Sequence, residues 1–228
     1  MKILAIETAT EACSAALNID GAIIQRYQLA PREHSRLILP MMDELLKEAG
    51  ISLNQLDTLA FGRGPGSFTG LRIAAGVIQG TALGADLPVV PVSTLAALAQ
   101  GAIERYSFDT VFAALDARMG EIYWGVFERN NKNLVELVEE EVVSNAEHVG
   151  FPDRSRGAGV GSGWKEYDKE LRKHLGERVV EVDGSCFPNA GNIAILAVDG
   201  FERKLAVAAE AAIPVYLRDN VAKKSVVE

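Results

Sequence analysis

The chain has 228 residues, a hydrophobic content of 48%, 21 glycines and 8 prolines, which is typical of a compact α/β protein and unlike a disordered chain or a repeat array. Its formal net charge of −8 argues against strong, direct nucleic-acid binding, because a protein that neutralises many phosphates alone needs a basic face. Two cysteines are too few for a disulfide framework or a zinc site, so both are expected to be buried or incidental thiols.

Basic residues form only short clusters, at Arg154 and Arg156 and at Lys223-Lys224, and we interpret these clusters as solvated surface. The N-terminal segment reaches Glu7 too soon for a signal peptide, and the apolar run at 73–83 is interrupted by a glutamine. We therefore expect a cytoplasmic protein without a membrane-spanning segment.

The first half of the chain predicts the order β-β-β-α-β-α-β-α. The predicted elements are strands 2–8, 13–19 and 22–29, a helix with apolar residues from 37 to 49, strand 56–61, helix 71–84, strand 88–92 and helix 94–105. Asp20-Gly21 is predicted to form a tight hairpin turn and Gly50 to end the first helix. Pro40 predicts that this helix begins or is kinked there, and Ser93 is the predicted N-cap of the last helix.

The second half of the chain repeats a similar order. Its predicted elements are strands 111–116, 121–128 and 134–143, a short helical signal near Ala146, strand 157–160, helix 165–175, strand 178–182 and helix 189–200. Two copies of one topology would fill the chain, with a first lobe at 1–107 and a second at 108–228. The first strand of each copy ends in a carboxylate, Glu7 or Asp116, and these two side chains would face each other across a cleft between the lobes.

A glycine-rich loop, FGRGPGSFTGLR at 61–72, leads from a strand into an apolar helix. Gly64 and Gly66 allow another chain or a phosphate to approach closely, and the amides of 67–71 could bind an anion at the helix N-terminus. The loop lacks the Gly-Lys-Ser/Thr ending of a Walker A loop, the third glycine of a dinucleotide fingerprint and the first glycine of a serine elbow. A tight connection that needs glycine only for its geometry is an equally good interpretation.

Five motifs extend from one end of the chain to the other. They are ILAIETAT at 3–10, EHS at 33–35, GPGSFTGLR at 64–72, LDAR at 115–118 with EIY at 121–123, and PVYLR at 214–218. Together they resemble the actin-like ATPase superfamily, which includes the sugar kinases, and more narrowly the TsaB family of bacterial tRNA threonylcarbamoyladenosine biosynthesis proteins. The resemblance implies an α/β fold of duplicated β-β-β-α-β-α lobes, the actin-like (ribonuclease H-like) superfold.

The resemblance also implies that the chain is not itself an enzyme. The catalytic relative, of the TsaD type, carries His-x-x-x-His metal ligands just after the strand that corresponds to 88–92. Here residues 92–98 read VSTLAAL, with no imidazole or carboxylate, and His34, His148 and His174 do not have the spacing of metal ligands. We therefore expect no catalytic residue and no metal site in this chain.

The implied role is that of a partner. The chain would bind and activate a TsaD-type subunit, which transfers the threonylcarbamoyl group to adenosine 37 of tRNAs that read codons beginning with adenine. A TsaE-type ATPase would join a larger complex, tRNA would be contacted only indirectly, and the chain alone would form a homodimer. No cofactor is expected to bind tightly, although ATP or ADP could act at the level of the complex.

Two helices are predicted to form the partner interface. The glycines of the helix at 71–84 recur every four residues, which lets another helix backbone approach closely, although internal packing explains this pattern equally well. Apolar residues cover more than one face of the preceding helix, and its methionines suit an adaptable surface. The predicted interface residues are Leu37, Ile38, Met41, Met42, Leu45, Ile73, Gly76, Val77, Gly80 and Gly84.

Vestigial nucleotide-binding loops are a further hypothesis. The positions where the superfamily holds phosphates or adenosine correspond to Glu7, Thr8, Thr10, Gly64, Gly66, Ser67, Asp116, Arg118 and Gly161. We expect instead that Glu7 and Asp116 cap hairpins and pair with Arg63, Arg72 or Arg118. A stand-alone small-molecule kinase or ATPase is the alternative function, and a peptidase has least support because an activated nucleophile is lacking.

Overall fold

The computed structural model describes residues 1–152 and 156–218, so Arg154, Lys223 and Lys224 lie outside the described residues. The first sheet contains β1 (Lys2–Glu7), β2 (Ala12–Ile19), β3 (Ala22–Leu29), β4 (Thr58–Gly62) and β5 (Val89–Val92), in the order β3-β2-β1-β4-β5. The first three strands are antiparallel, whereas β4 and β5 run parallel to β1. Asp20 and Gly21 both have positive φ, as a two-residue hairpin turn requires, which confirms the predicted turn.

The second sheet repeats this topology. It contains β6 (Thr110–Arg118), β7 (Glu121–Arg129), β8 (Val135–Leu137), β9 (Val142–Asn145), β10 (Gly157–Val160) and β11 (Val179–Asp183). The order β8-β7-β6-β10-β11 matches that of the first sheet, with β9 as an additional partner of β7. The duplicated α/β fold predicted from the sequence is therefore confirmed.

Within residues 1–152 and 156–218, five α-helices cover the two sheets. They are α1 (His34–Ala49), α2 (Phe68–Ala85), α3 (Thr94–Arg105), α4 (Ser162–Leu175) and α5 (Ala190–Glu202). Helix α1 runs through Pro40 and ends at Gly50, which adopts the left-handed conformation. The Ser93 hydroxyl accepts a hydrogen bond from the amide of Ala96, so the predicted N-cap of α3 is confirmed.

The helices connect the two halves of the chain. Helices α1 and α2 pack on one face of the first sheet and α5 packs on the other face, although α5 belongs to the second half of the sequence. Helix α3, from the first half, packs on the second sheet opposite α4. Since α3 and α5 also contact each other, the layers follow the order helix, sheet, helix, helix, sheet, helix. The domain boundary near residue 107 remains a prediction. Helix α3 precedes this boundary in the sequence but packs on the second sheet, and α5 follows it but packs on the first sheet.

The predicted strand 134–143 is wrong as a single element. Strand β8 pairs with residues 127–129 of β7, and β9 pairs with residues 121–124 of the same strand. The segment between them leaves the sheet, and the carboxylate of Glu141 accepts a hydrogen bond from the Ser93 hydroxyl. The run Glu139-Glu140-Glu141 thus interrupts the apolar pattern where the chain turns toward the first lobe.

Candidate functional site

A cleft of about 1170 Å³ lies between the two lobes. Its walls are the loops after β1, β4 and β6, the N-termini of α1, α2 and α4, and residues 215–218 near the end of the described chain. Strands β1 and β4 are parallel and end at the same edge of the first sheet, and β6 ends at the corresponding edge of the second. The cleft is therefore the place where the duplicated topology brings the loops of both lobes together.

The predicted phosphate-loop residues divide into two groups. Those that line the cleft are Thr10, Gly66, Ser67, Asp116 and Arg118, whereas Glu7, Thr8, Gly64 and Gly161 are not part of its lining. The expectation that Glu7 faces Asp116 across the cleft is wrong, because Glu7 is completely buried.

Glu7 is instead enclosed in the first lobe. Its Oε1 atom accepts a hydrogen bond of 2.5 Å from the amide of Ala9, and its Oε2 atom accepts one of 3.5 Å from the Thr94 hydroxyl. A Cβ atom on Gly62 would lie only 1.8 Å from Glu7 Oε2, so this glycine makes room for the carboxyl group. Burial raises the pKa of Glu7 to about 7, partly offset by the hydrogen bonds that stabilise the charged form.

Asp116 and Arg118 form an ion-paired corner of the cleft. The Arg118 guanidinium lies 2.9 Å from the Asp116 carboxylate, which is the pairing expected from the sequence, and 3.8 Å from that of Glu11. The amide of Asp116 donates to the Ser162 hydroxyl at the start of α4. Arg118 thus connects the β6–β7 hairpin with the β1–β2 hairpin of the other lobe.

The glycine-rich loop is packed against protein atoms. Gly64 has a φ of +108°, and a Cβ atom there would lie 2.7 Å from the carbonyl oxygen of Val215. A Cβ atom on Gly70 would lie 2.0 Å from the carbonyl oxygen of Thr8. These contacts favour the interpretation that the glycines serve a tight connection, because the space beside them is filled by the chain itself. At the start of α2, Ser67 caps the helix and lies exposed at the cleft.

The PVYLR motif closes one side of the cleft, a role that the order of predicted strands and helices does not reveal. The amide of Val215 donates to the carbonyl of Arg63 at 2.7 Å, and the ring of Tyr216 lies 5.4 Å from that of Phe68. Arg218 then reaches the second lobe, where it pairs with Glu121. We refer to residues 213–218 as the strap. The only sequence signal for the strap is the motif itself.

The predicted interface on α1 needs correction. Four of its five residues are buried in the core between α1, α2 and the first sheet, namely Ile38, Met41, Met42 and Leu45. Leu37 is half-buried and packs against the same cluster. Leu39 is an exposed large hydrophobic side chain of α1, at 54%. Helical spacing identified the apolar residues of α1 but could not show that the sheet and α2 cover them.

Helix α2 does present an open face. Gly76, Gly80 and Gly84 are exposed, and a Cβ atom added at any of them would meet no atom within 4 Å. Beside them, Ile73 and Val77 are half-buried, and Leu83 is 78% exposed. Internal packing therefore does not explain the glycine spacing. We refer to these six residues as the α2 face.

Two further properties bear on function. Among residues 1–152 and 156–218, no three His, Cys, Asp or Glu side chains are grouped as a metal site would require. Within the same ranges, none of the helices has the length and apolar character needed to cross a bilayer. Both cysteines are free thiols, Cys13 buried and Cys186 half-buried.

Comparison with known proteins identifies the family. A family model described as "TsaD: tRNA N6-adenosine threonylcarbamoyltransferase" matches residues 25–226. The tRNA threonylcarbamoyladenosine biosynthesis protein TsaB of Escherichia coli is 46% identical, over 98% of this chain and 97% of the relative. The protein of the same name from Haemophilus influenzae is 40% identical, over 98% of this chain and 96% of the relative.

A solved structure has the same fold. YeaZ from Pseudomonas aeruginosa superposes with a TM-score of 0.89 at 43% sequence identity, covering 95% of this chain and 99% of that one. Near-complete coverage in both directions means that the similarity extends over both lobes. The chain therefore belongs to the TsaB (YeaZ) family of tRNA threonylcarbamoyladenosine biosynthesis proteins, within the actin-like ATPase superfamily.

Proposed function

We propose that this chain is a non-catalytic partner subunit in the threonylcarbamoylation of adenosine 37 in tRNAs that read codons beginning with adenine. It acts by binding and activating a TsaD-type catalytic subunit. Its relatives are named as biosynthesis proteins of this modified nucleoside, which supports a role in that pathway. The single observation that carries the partner role is the open α2 face.

The α2 face fits the backbone of another helix. Its three glycines remove side chains from one side of α2, so a second helix could approach to the short end of the usual interaxial range, about 8 Å. Leu83 and the half-buried Ile73 and Val77 would lose contact with water when such a helix covers them. In the absence of the partner, a second copy could cover the same face, which supports a homodimer.

The region after β5 supports a non-catalytic role. TsaD-type relatives carry their metal-binding histidines there, whereas here Ser93 and Thr94 form hydrogen bonds to Glu141 and Glu7 and the following Leu95 is fully buried. These side chains connect α3 to both lobes. Because these side chains are hydrogen-bonded or buried within the protein, we infer that the segment after β5 has a structural role here.

We propose that nucleotide and tRNA bind to the assembled complex and not to this chain alone. ATP or ADP would be used there with a TsaE-type ATPase, and no cofactor would stay bound to this chain alone. The net charge of −8 supports indirect contact with tRNA, which would be held mainly by the partner.

The test is a reconstitution with two variants of one residue. Gly80→Ala adds a methyl group that would meet no atom within 4 Å beyond the backbone of its own helix, and it should raise helix stability by about 1 kcal/mol. Gly80→Arg should keep the fold but place a long charged side chain on the α2 face. We expect Gly80→Arg to weaken binding to the TsaD-type subunit at least about tenfold, with tRNA modification reduced in parallel, and Gly80→Ala to have the smaller effect.

Two results would contradict the proposal. One is full tRNA modification by the other components when this chain is omitted, and the other is unchanged binding of the Gly80→Arg variant. Rapid ATP turnover by the purified chain alone would favour the stand-alone kinase or ATPase instead. Thermal unfolding of both variants serves as the folding control.

A further inference from the structure

The strap contacts both lobes within four consecutive residues. The Val215 amide donates to the carbonyl of Arg63 in the first lobe, whereas Arg218 pairs with Glu121 in the second. The two residues between them line the cleft. The strap therefore runs along one side of the cleft from one lobe to the other, and its contacts decide whether that side is covered.

The attachment to the first lobe is made by the core and the backbone. Ala212, just before the strap, is fully buried in this lobe, and its carbonyl accepts a hydrogen bond of 3.1 Å from the Gln79 side chain. The hydrogen bond from the Val215 amide measures 2.7 Å. The carbonyl oxygen of the same residue lies against Gly64, where a Cβ atom would be only 2.7 Å away. Residues 212–215 are thus fixed to the first lobe.

Beyond Val215 the attachment is of a different kind. Within the described chain, no backbone hydrogen bond holds residues 216–218. The ring of Tyr216 lies 5.4 Å from that of Phe68, but these side chains are 42% and 50% exposed, so water competes for the contact. The attachment of this end of the strap to the second lobe therefore depends on Arg218.

Arg218 contacts the β6–β7 hairpin through its side chain. The guanidinium pairs with the Glu121 carboxylate, and it lies 3.2 Å from the carbonyl oxygen of Arg118 and 3.7 Å from the sulfur of Met119. An ion pair at the surface is replaced by contacts with water at small cost, whereas buried apolar contacts are not. Of the two attachments of the strap, the one at Arg218 is the one that can be released.

We propose that residues 216–218 form a lid on the cleft, hinged on the first lobe at Val215 and held closed on the second lobe by Arg218. When Arg218 leaves Glu121, the lid turns away from the β6–β7 hairpin and uncovers this side of the cleft, while residues 212–215 stay in place. The lid does not depend on the proposed partner role, because it can be tested on the chain alone.

A charge reversal and its rescue test the lid. Arg218→Glu places a like charge beside Glu121 and should open the lid. Adding Glu121→Arg to this variant restores an ion pair with the two charges exchanged and should close it again. Arg203→Glu makes the same charge change at the more exposed pair with Asp199, so it is the matched control.

Access to the cleft is measured with a thiol at Ala117, which lines the cleft and is 5% exposed. The parent chain for all variants carries Ala117→Cys and Cys186→Ser, and Cys13 stays buried. A bulky maleimide should alkylate the new thiol at least about fivefold faster in Arg218→Glu, because loss of the ion pair raises the open population by about that factor. The rescue and the control should react like the parent.

Faster alkylation would report access and not charge. The added carboxylate disfavours the thiolate, so the charge change alone would slow the reaction. The hinge is followed separately by hydrogen exchange of the Val215 amide, which should keep the parent rate in Arg218→Glu because its hydrogen bond to Arg63 belongs to the fixed part.

Four results would overturn the lid. They are an unchanged alkylation rate in Arg218→Glu, a failure of Glu121→Arg to reverse the acceleration, an equal acceleration in Arg203→Glu, and loss of Val215 protection in Arg218→Glu. The last result would mean that the whole strap detaches instead of turning at a hinge.

Discussion

The Thr94 hydroxyl donates a hydrogen bond of 3.5 Å to the carboxyl group of Glu7, which ties the end of β1 to the first residue of α3. Because α3 packs on the second sheet, this contact joins the core of one lobe to a helix of the other. A charged group would be costly in this position, which is why burial raises the pKa of Glu7 to about 7.

Glu7 should make stability depend on pH. The folded chain holds the Glu7 proton more strongly than the unfolded chain, whose pKa is near 4.5, so this contribution is fully present below pH 4.5 and is lost as pH rises through about 7. Relative to Glu7→Gln, the free energy of unfolding of the wild type should fall by up to about 3 kcal/mol across that window. Urea denaturation of both proteins measures the difference, and parallel pH profiles would refute this assignment.

Two adjacent residues of α1 should differ strongly in their effect on stability. Ile38 is fully buried and Leu39 is 54% exposed. Ile38→Ala should lower the free energy of unfolding by about 2–5 kcal/mol because it leaves a cavity, whereas Leu39→Ala should change it by about 0.5 kcal/mol or less. Chemical denaturation provides the measurement, and similar losses for both variants would mean that α1 does not pack as described.

The strap should stabilise the β6–β7 hairpin. The Arg218 side chain is only 15% exposed, and it contacts both the Glu121 carboxylate and the carbonyl oxygen of Arg118. Arg218→Gln should lower the free energy of local opening of this hairpin by about 1 kcal/mol. This change corresponds to roughly fivefold faster hydrogen exchange at residues 118–121. Arg203→Gln, which removes a more exposed pair with Asp199, is the matched control. Unchanged exchange in the hairpin would count against the strap.

Cys186 should be a poorly reactive thiol because of its neighbours. Burial and a hydrogen bond of 3.0 Å to the Asp183 carboxylate raise the pKa of Cys186 to about 12. Asp183→Asn removes the negative charge, so alkylation at a fixed pH should accelerate by about tenfold for each unit by which the pKa falls. Mass spectrometry can follow the rate, with the buried Cys13 as internal reference. An unchanged Cys186 rate would show that Asp183 does not suppress the thiolate.

Local patterns in the sequence predicted much of the fold. The Asp20-Gly21 turn, the Ser93 cap and the duplicated strand order depend on residues close together in the chain, and all three are present. Between β8 and β9, by contrast, Glu141 contacts Ser93, which lies 48 residues away in the sequence, and a local pattern does not contain such a contact.

The candidate site was harder to predict for the same reason. Both α1 and α2 carry apolar or small residues at helical spacing, yet Ile38 lies in the core and Gly80 lies open to solvent. The face of a helix that becomes buried depends on the sheet and the helices that pack against it, and these come from distant parts of the chain. Likewise, Glu7 and Asp116 occupy equivalent positions in the two repeats, but Thr94 and the space at Gly62 enclose only Glu7.

The exchange of α3 and α5 between the sheets has a consequence for synthesis. When only the first half of the polypeptide has left the ribosome, α5 has not yet been synthesised. The face of the first sheet that α5 covers, which includes Ile3 and Val90, is then exposed to solvent. Truncation before Ala190 should therefore yield an aggregation-prone fragment instead of a smaller folded protein.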